Sequence, residues 1–298
     1  VFLVLAYRRL IEKERARLGR ELTPDELKSI LEESIYGVER ERDACYVAEF
    51  SLILTLLHYL AQRDLQSLQF QFPDLHNTQI FECDFFDQKN GAFWQKGLKF
   101  DCIVGNPPWI TANAERQKFA HAWISKNKNQ YPVGDLSVAE AVSWQVTDLL
   151  TPDGVVGLIL PATSLFNQRS NKYRQSFFTQ HEVLRITNFA NIEVLFGKGK
   201  WDVKPAMTVI YRADDTGDKG DIVHYGPFSV NQVSEAKDKP WVITINKNEI
   251  QTVSPYKAAT GELTVWKFAL WGNHLDERAV RRIKKQFPMT LEELKKKR

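Results

Sequence analysis

The sequence predicts an α/β fold in which a doubly wound, mostly parallel sheet carries helices on both faces. Three observations predict it. Short apolar runs rich in β-branched and aromatic residues alternate with helical stretches along most of the chain. Three of these runs lead into a polar residue, Glu39, Asp84 and Asn106, at the carboxyl ends where open α/β sheets gather their ligands. The 298 residues, 43% of them apolar, suffice for one large domain and part of another.

The elements follow in order. Residues 1–10 read as an apolar helix. Thr23-Pro24-Asp25-Glu26 is a capping box with Pro at the first helical position, which predicts a helix over 24–33. Residues 34–38 read as a short strand running into Glu39, and an apolar helix follows over about 43–60. Gln79-Ile80-Phe81-Glu82-Cys83 is a second strand, ending at Asp84-Phe85. Phe100-Asp101-Cys102-Ile103-Val104-Gly105 reads as a third, buried strand that ends on Asn106-Pro107-Pro108-Trp109. The stretch 110–135 is long, polar and weakly periodic, which suits a lid over a ligand or a surface insertion. Ser137-Val138-Ala139-Glu140 is a second capping box, opening a helix to about 150. Thr151-Pro152-Asp153-Gly154 is a turn that feeds a core strand over 154–161, and 205–211 is another. A polar, Gly-containing boundary at 214–221 separates a domain over 1–213 from a region over 214–298. In the latter, 241–245 reads as a strand, 266–272 as an apolar connector and 275–287 as a helix.

Composition narrows the class. A net charge of +3 does not by itself establish a nucleic-acid partner, but the positive charge is uneven. Arg281, Arg282, Lys284, Lys285, Lys295, Lys296, Lys297 and Arg298 crowd the end, and Lys118, Lys126 and Lys128 follow the tetrapeptide. Such runs are solvated faces or phosphate tracks. Cys45, Cys83 and Cys102 lack metal-ligand spacing and read as buried thiols of a reducing compartment, with no metal site implied. Neither a signal peptide nor an apolar stretch near 18 residues is evident, so a soluble, cytoplasmic protein with no membrane partner is expected.

Asn106-Pro107-Pro108-Trp109 carries the chemistry. The exocyclic amine of adenine is a weak nucleophile because its lone pair is delocalised into the ring. Two acceptors on its N–H bonds would let that pair localise toward an electrophilic methyl group. Pro107 and Pro108, with fixed φ and no N–H, make a stiff loop that can hold carbonyls in place. Taken alone, the tetrapeptide could be a proline turn, Glu39 a solvated acid and Asp84 a turn residue. Their order and spacing by strand and helix lengths argue for one site.

With these residues the chain resembles class I S-adenosylmethionine-dependent DNA adenine-N6 methyltransferases over residues 1–213. It is most similar to large bacterial enzymes that fuse restriction with modification, and to phage-defence methylases. The resemblance implies a seven-stranded sheet, here without its first, central strand. It implies that Glu39 binds the cofactor ribose, that Asp84 and Phe85 hold its adenine, and that Asn106, Pro107, Pro108 and Trp109 hold the target base, Asn106 and the Pro107 carbonyl being the two acceptors. Phe196 lies where such enzymes carry a second aromatic wall, with Phe189 and Trp201 as competitors. The glycine-rich cofactor loop of the family would precede Val1, so an excerpt of a longer protein is expected. Such a segment alone should neither bind S-adenosylmethionine tightly nor methylate. Only 66 residues lie between Glu39 and Asn106, too few for a target-recognition domain, which is therefore expected after the catalytic core. The expected partner is double-stranded DNA. The competing readings are methylation of glutamine side chains or RNA bases, and a non-catalytic DNA-binding module that keeps the fold.

Overall fold

The computed structural model describes residues 1–61, 64, 70–192, 205–213, 217–228, 230–232, 241–289 and 295. The chain forms two compact units, 1–98 and 99–298.

In the first unit, helices α1 (Phe2–Leu18), α2 (Pro24–Ser34) and α3 (Arg42–Tyr59) pack around Tyr7, Ile11, Leu27, Leu31, Leu52 and Leu56. The Tyr7 hydroxyl donates to the Leu27 carbonyl at 2.8 Å, which satisfies a phenol buried in this core. The capping box at Thr23 forms as expected: Glu26 N donates to Thr23 Oγ1 at 3.3 Å, and Thr23 N donates to Glu26 Oε2 at 2.8 Å. α2 runs to Ser34, so the following strand is shorter than expected. β1 (Gly37–Glu39) pairs in parallel with β2 (Ile80–Glu82), in the register Gly37↔Ile80, Val38↔Phe81, Glu39↔Glu82. A short helix, α4 (Ala92–Gln95), follows.

The second unit is built on a six-stranded sheet. It contains β3 (Phe100–Gly105), β4 (Leu150–Pro161), β5 (His181–Asn188), β6 (Ala206–Ala213), β7 (Ile222–Tyr225) and β10 (Ile250–Val253), in the order β10-β7-β5-β6-β4-β3. β3 and β5 run parallel to β4 and β7 respectively, whereas β6 is antiparallel to both β4 and β5. Four strands therefore share one direction, and only β6 and β10 oppose it. This is the mostly parallel α/β architecture expected, with β6 wedged between strands that precede it in the chain. β8 (Val230–Gln232) and β9 (Trp241–Ile243) form a separate antiparallel pair.

The helices of this unit are α5 (Lys118–Asn127), α6 (Val138–Gln145), α7 (Thr163–Phe166), α8 (Asn171–Gln180), α9 (Pro255–Ala259), α10 (Leu263–Trp271) and α11 (His274–Gln286). Buried aromatic residues on α6, α8 and β6 meet at its centre. Trp144 packs edge-on against Phe177 at 5.4 Å, and Phe177 packs against Tyr211 at 4.9 Å.

Several expectations are corrected. β4 begins at Leu150, and Thr151 to Gly154 stand out from it as a bulge, because Phe100 pairs with Leu150 while Cys102 pairs with Val155. The expected turn is thus absorbed into a longer strand. The polar stretch after the tetrapeptide contains α5, which buries Ala120, Trp123 and Ile124 at helical spacing, so it is packed rather than an open loop. The apolar connector at 266–272 lies within α10, whose Trp266 is buried. β3 is less buried than expected: Val104 is 45% exposed and Cys102 is exposed. The cause is position, since β3 ends its sheet and pairs only with β4 among the described residues. Cys45 is buried, whereas Cys83 is half-buried, so the three thiols do not share one environment. Strand pairing also runs past residue 213, because β7 and β10 belong to the same sheet as β3 to β6.

Candidate active site

Glu39, Asp84 and Phe85 lie in the first unit, at and beyond the carboxyl ends of two paired parallel strands. Glu39 is exposed, and its Oε1 accepts the backbone N–H groups of Arg40 at 2.7 Å and Glu41 at 3.0 Å. The side chain is thereby oriented, and Oε2 makes no hydrogen bond among the described residues. Asp84 Oδ1 accepts Phe86 N at 2.9 Å, an Asx turn that fixes the carboxylate and leaves Oδ2 available. Arg40, next to Glu39 in the chain, is held above its ordinary pKa first by its hydrogen bond to Glu41 and then, more weakly, by the charges of Asp84 and Glu39. Phe85 is half-buried, with its ring 5.4 Å from Trp94 and 5.6 Å from Phe86. The Trp94 indole donates to the Phe85 carbonyl at 2.9 Å. Trp94 was not singled out from the sequence; only its place in the aromatic pair Phe93-Trp94, shortly after Phe85, could have signalled it.

The tetrapeptide lies in the second unit, at the carboxyl end of β3. Gly105 is paired with Leu158 of β4, so the loop starts from a fixed register. Asn106 is exposed, and its side chain makes no hydrogen bond among the described residues. Pro107 is buried and Pro108 is exposed. The half-buried Trp109 donates its indole N–H to the Ile159 carbonyl at 3.3 Å, which ties the ring to β4.

The loop is held equally firmly on its far side. Ala112 N donates to the Leu136 carbonyl at 2.8 Å, and Val138 N to the Ile110 carbonyl at 3.0 Å. Leu136 belongs to a tight turn, Gly134-Asp135-Leu136-Ser137, closed by Ser137 N on the Gly134 carbonyl at 2.9 Å. Asp135 and Leu136 have φ of 51° and 52°, the left-handed geometry of a type I′ turn, in which Asn-Gly is the favoured pair. Holding Leu136 there costs about 1–2 kcal/mol, and Asp135 less, because Asp tolerates the left-handed region. The surroundings hold the turn in place. Arg169 donates to Asp135 at 2.9 Å, and Asn167 donates to it at 3.2 Å. Gly134 N donates to Glu140 Oε2 at 2.6 Å.

Glu140 corrects the second expected capping box. Ser137 Oγ accepts Glu140 N at 3.4 Å, but the Glu140 side chain turns inward instead of back to the Ser137 backbone. It is 2% exposed and accepts Ser170 Oγ at 2.8 Å as well as Gly134 N. Burial pushes its pKa up, against the hydrogen bonds from Gly134, Ser164 and Ser170 and the charge of Arg174. Arg174 is itself buried, and donates to the carbonyls of Gly261, Ser164 and Asn167 at 2.7–2.9 Å.

Phe196 and Trp201 lie outside the described residues, while Phe189 is half-buried at the end of β5. Of the basic residues at the chain end, Arg281 pairs with Glu277 at 2.7 Å on the exposed helix α11; 296–298 are outside the described residues. Among the described residues no group of three potential ligands could hold a metal, and no helix is long and apolar enough to cross a membrane.

Strand order and direction are those of a class I methyltransferase-like fold. The chain matches the Eco57I restriction-modification methylase family over residues 33–196, more than half its length, and it belongs to that family. The matched span contains Glu39, Asp84, Phe85 and the whole tetrapeptide. The chain is 25% identical over 195 residues to the Type II methyltransferase M.BstVI of Geobacillus stearothermophilus, covering 63% of this chain and 31% of that protein. Among solved structures it resembles a nuclease-deletion mutant of the Type ISP restriction-modification enzyme LlaGI in complex with a DNA substrate mimic. That match has a TM-score of 0.56 and 15% identity, over 75% of this chain and 20% of the other. It also resembles the ATP-dependent Type ISP enzyme LlaBIII bound to DNA, with a TM-score of 0.55 and 15% identity over 89% of this chain and 18% of the other. At these identities the likeness is one of fold. The chain spans less than a third of the curated relative's length.

Proposed function

We propose that this chain carries the catalytic core of a DNA methyltransferase that moves a methyl group from S-adenosylmethionine to the N6 amine of adenine in double-stranded DNA, in bacterial restriction-modification or phage defence. One observation carries the reading. The Asn106 side chain stands exposed and unengaged among the described residues at the carboxyl end of β3, followed by two prolines and an aromatic ring tied to β4.

In this reading the Asn106 side-chain oxygen and the Pro107 carbonyl accept the two N–H bonds of the amine and turn its lone pair outward. Trp109 stacks on the base. Rotating a base out of the duplex costs a few kcal/mol, and stacking on an aromatic face returns roughly 1–3 kcal/mol. The acceptors of the first unit suit the cofactor: Glu39 Oε2 would accept from the ribose, Asp84 from the adenine amine, and Phe85 would pack on the purine. When bound, S-adenosylmethionine supplies the electrophilic methyl group. DNA reading is assigned to the region after residue 213, where α11 displays Arg278, Arg282, Lys284 and Lys285 on an exposed helix. A genomic DNA substrate in bacteria also places the enzyme in the cytoplasm.

The test follows the methyl group. Full-length protein incubated with labelled S-adenosylmethionine and DNA, RNA or protein should label DNA, as N6-methyladenine in a nucleoside digest. Asn106→Ala should cut the rate at least about 100-fold with little change in DNA affinity, whereas Trp109→Ala should weaken both. Label recovered in RNA or protein, or near-normal transfer by Asn106→Ala, would overturn the assignment.

A further inference from the structure

The loop that displays Asn106 is short, and both of its ends are fixed. Its near end is the Gly105↔Leu158 register, and its far end is the pair of backbone hydrogen bonds linking Ile110 and Ala112 to Val138 and Leu136. The second anchor depends on a turn that Leu136 disfavours. Asp135 tolerates positive φ, but Leu136 does so only at a cost, and no glycine occupies either position. Gly134 is where a side chain is excluded: a Cβ there would fall 2.4 Å from Ser170 Oγ and 2.9 Å from Ser170 Cα. The carboxylate of Glu140 bridges the two partners of that close approach, taking the Gly134 N–H on one oxygen and the Ser170 hydroxyl on the other. A carboxylate is costly to bury even beside Ser164, Ser170 and Arg174, and an apolar residue would pack the same helix face without that desolvation.

We propose that Glu140 is a positioning residue for the methyl-accepting loop: it holds the Gly134 to Ser137 turn, and through the backbone pairs at Ile110 and Ala112 it sets where Asn106 and Trp109 stand. This deepens the methyltransferase reading and rests on it. Glu140 touches no substrate in this scheme. Its influence is geometric, and misplacement by about 1 Å of a group that orients a reacting atom can cost on the order of 100-fold in rate.

The experiment uses the full-length protein with Glu140→Leu, Glu140→Gln, Ser170→Ala and, as reference, Asn106→Ala. Two readouts are taken: single-turnover methyl transfer to DNA, and amide hydrogen exchange at Ala112 and Val138 measured against amides of β5 and β6. Glu140→Leu is expected to slow transfer by at least about tenfold at unchanged S-adenosylmethionine affinity, and to speed exchange at Ala112 and Val138 by about tenfold with β5 and β6 unaffected. Glu140→Gln keeps an acceptor for Gly134 N and a partner for Ser170, so it should restore most of both. A Glu140→Leu protein with normal transfer or normal exchange at Ala112 overturns the inference. Should Glu140→Leu not fold, Ser170→Ala decides: it removes one of the two anchors, and unchanged exchange at Ala112 overturns the inference equally. If Asn106→Ala still methylates, the proposed function fails, and the exchange readout alone then judges whether Glu140 holds the loop.

Discussion

At the scale of single residues, one buried base stands apart from the candidate site. His224 on β7 is fully buried, and neither ring nitrogen meets a hydrogen-bond partner among the described residues. Burial pushes its pKa down to about 4, with the backbone at Ala269 opposing more weakly. The folded protein therefore holds this imidazole neutral where the unfolded chain, near 6.5, would protonate it. Below the unfolded value the unfolded state binds more protons, so stability falls as pH drops from about 6.5 to about 4 and levels off below that. The full effect is roughly 3 kcal/mol. Urea unfolding at pH 7, 5.5 and 4.5 should show the decline, and His224→Leu should flatten it; an unchanged slope in that variant would assign the acid sensitivity elsewhere. Residues of this kind are hard to read from sequence, because a His at a strand position looks the same whether solvated or buried. The positions of Asn106, Glu39 and Asp84 could be read from sequence for the opposite reason, since all three lie at or just past the carboxyl ends of strands, and their proposed roles rest on that placement. Each closes an apolar run, and the chemistry of an amine acceptor or a ribose ligand needs that residue type there.

At the scale of elements, local signals were read best where backbone chemistry is self-contained. The Thr23 capping box formed as predicted because both of its hydrogen bonds lie within four residues. Its counterpart at Ser137 has the same hydroxyl-to-Glu pattern but only half the bonds, since tertiary partners at Gly134 and Ser170 compete for the Glu140 carboxylate. No window of sequence that stops at the helix contains Ser170. The type I′ turn was missed for a related reason: Asp-Leu is not a turn pair, and only its surroundings hold it there. Leu136 is 38% exposed, so its side chain contributes little packing to offset its geometry. Leu136→Gly removes about 1–2 kcal/mol of left-handed strain and adds up to about 1 kcal/mol of backbone entropy cost. It should therefore leave stability unchanged or raise it by up to about 2 kcal/mol, read as an equal or higher urea midpoint. A clear loss would mean that the Leu136 side chain does more than occupy the turn.

At the scale of the whole molecule, the α/β class and the order of the elements were legible because alternation of strands and helices is a property of the entire chain. The direction of β6 was not, since an apolar run reads alike in both directions and its neighbours are set by the sheet. Likewise, composition suggested a boundary near 213, but pairing of β7 with β5 and of β10 with β7 carries the sheet beyond it. The placement of β6 also bears on how the protein is made. β4 and β5 do not pair with each other; each pairs with β6, which is synthesised after both. At about 5–20 residues per second the ribosome needs a few seconds to pass from the end of β5 to the end of β6. During that interval the middle of the second unit has two apolar strands and no strand between them. Nascent chains arrested before Ala206 should be cut readily by protease across β4 and β5, and chains arrested well beyond Val253 should resist. Protection before β6 emerges would mean that β4 and β5 find another partner first. The second unit can thus join its β3–β4 edge to β5 only late in synthesis, once β6 has emerged, and the cell's chaperones have a defined window of chain length in which to act on it.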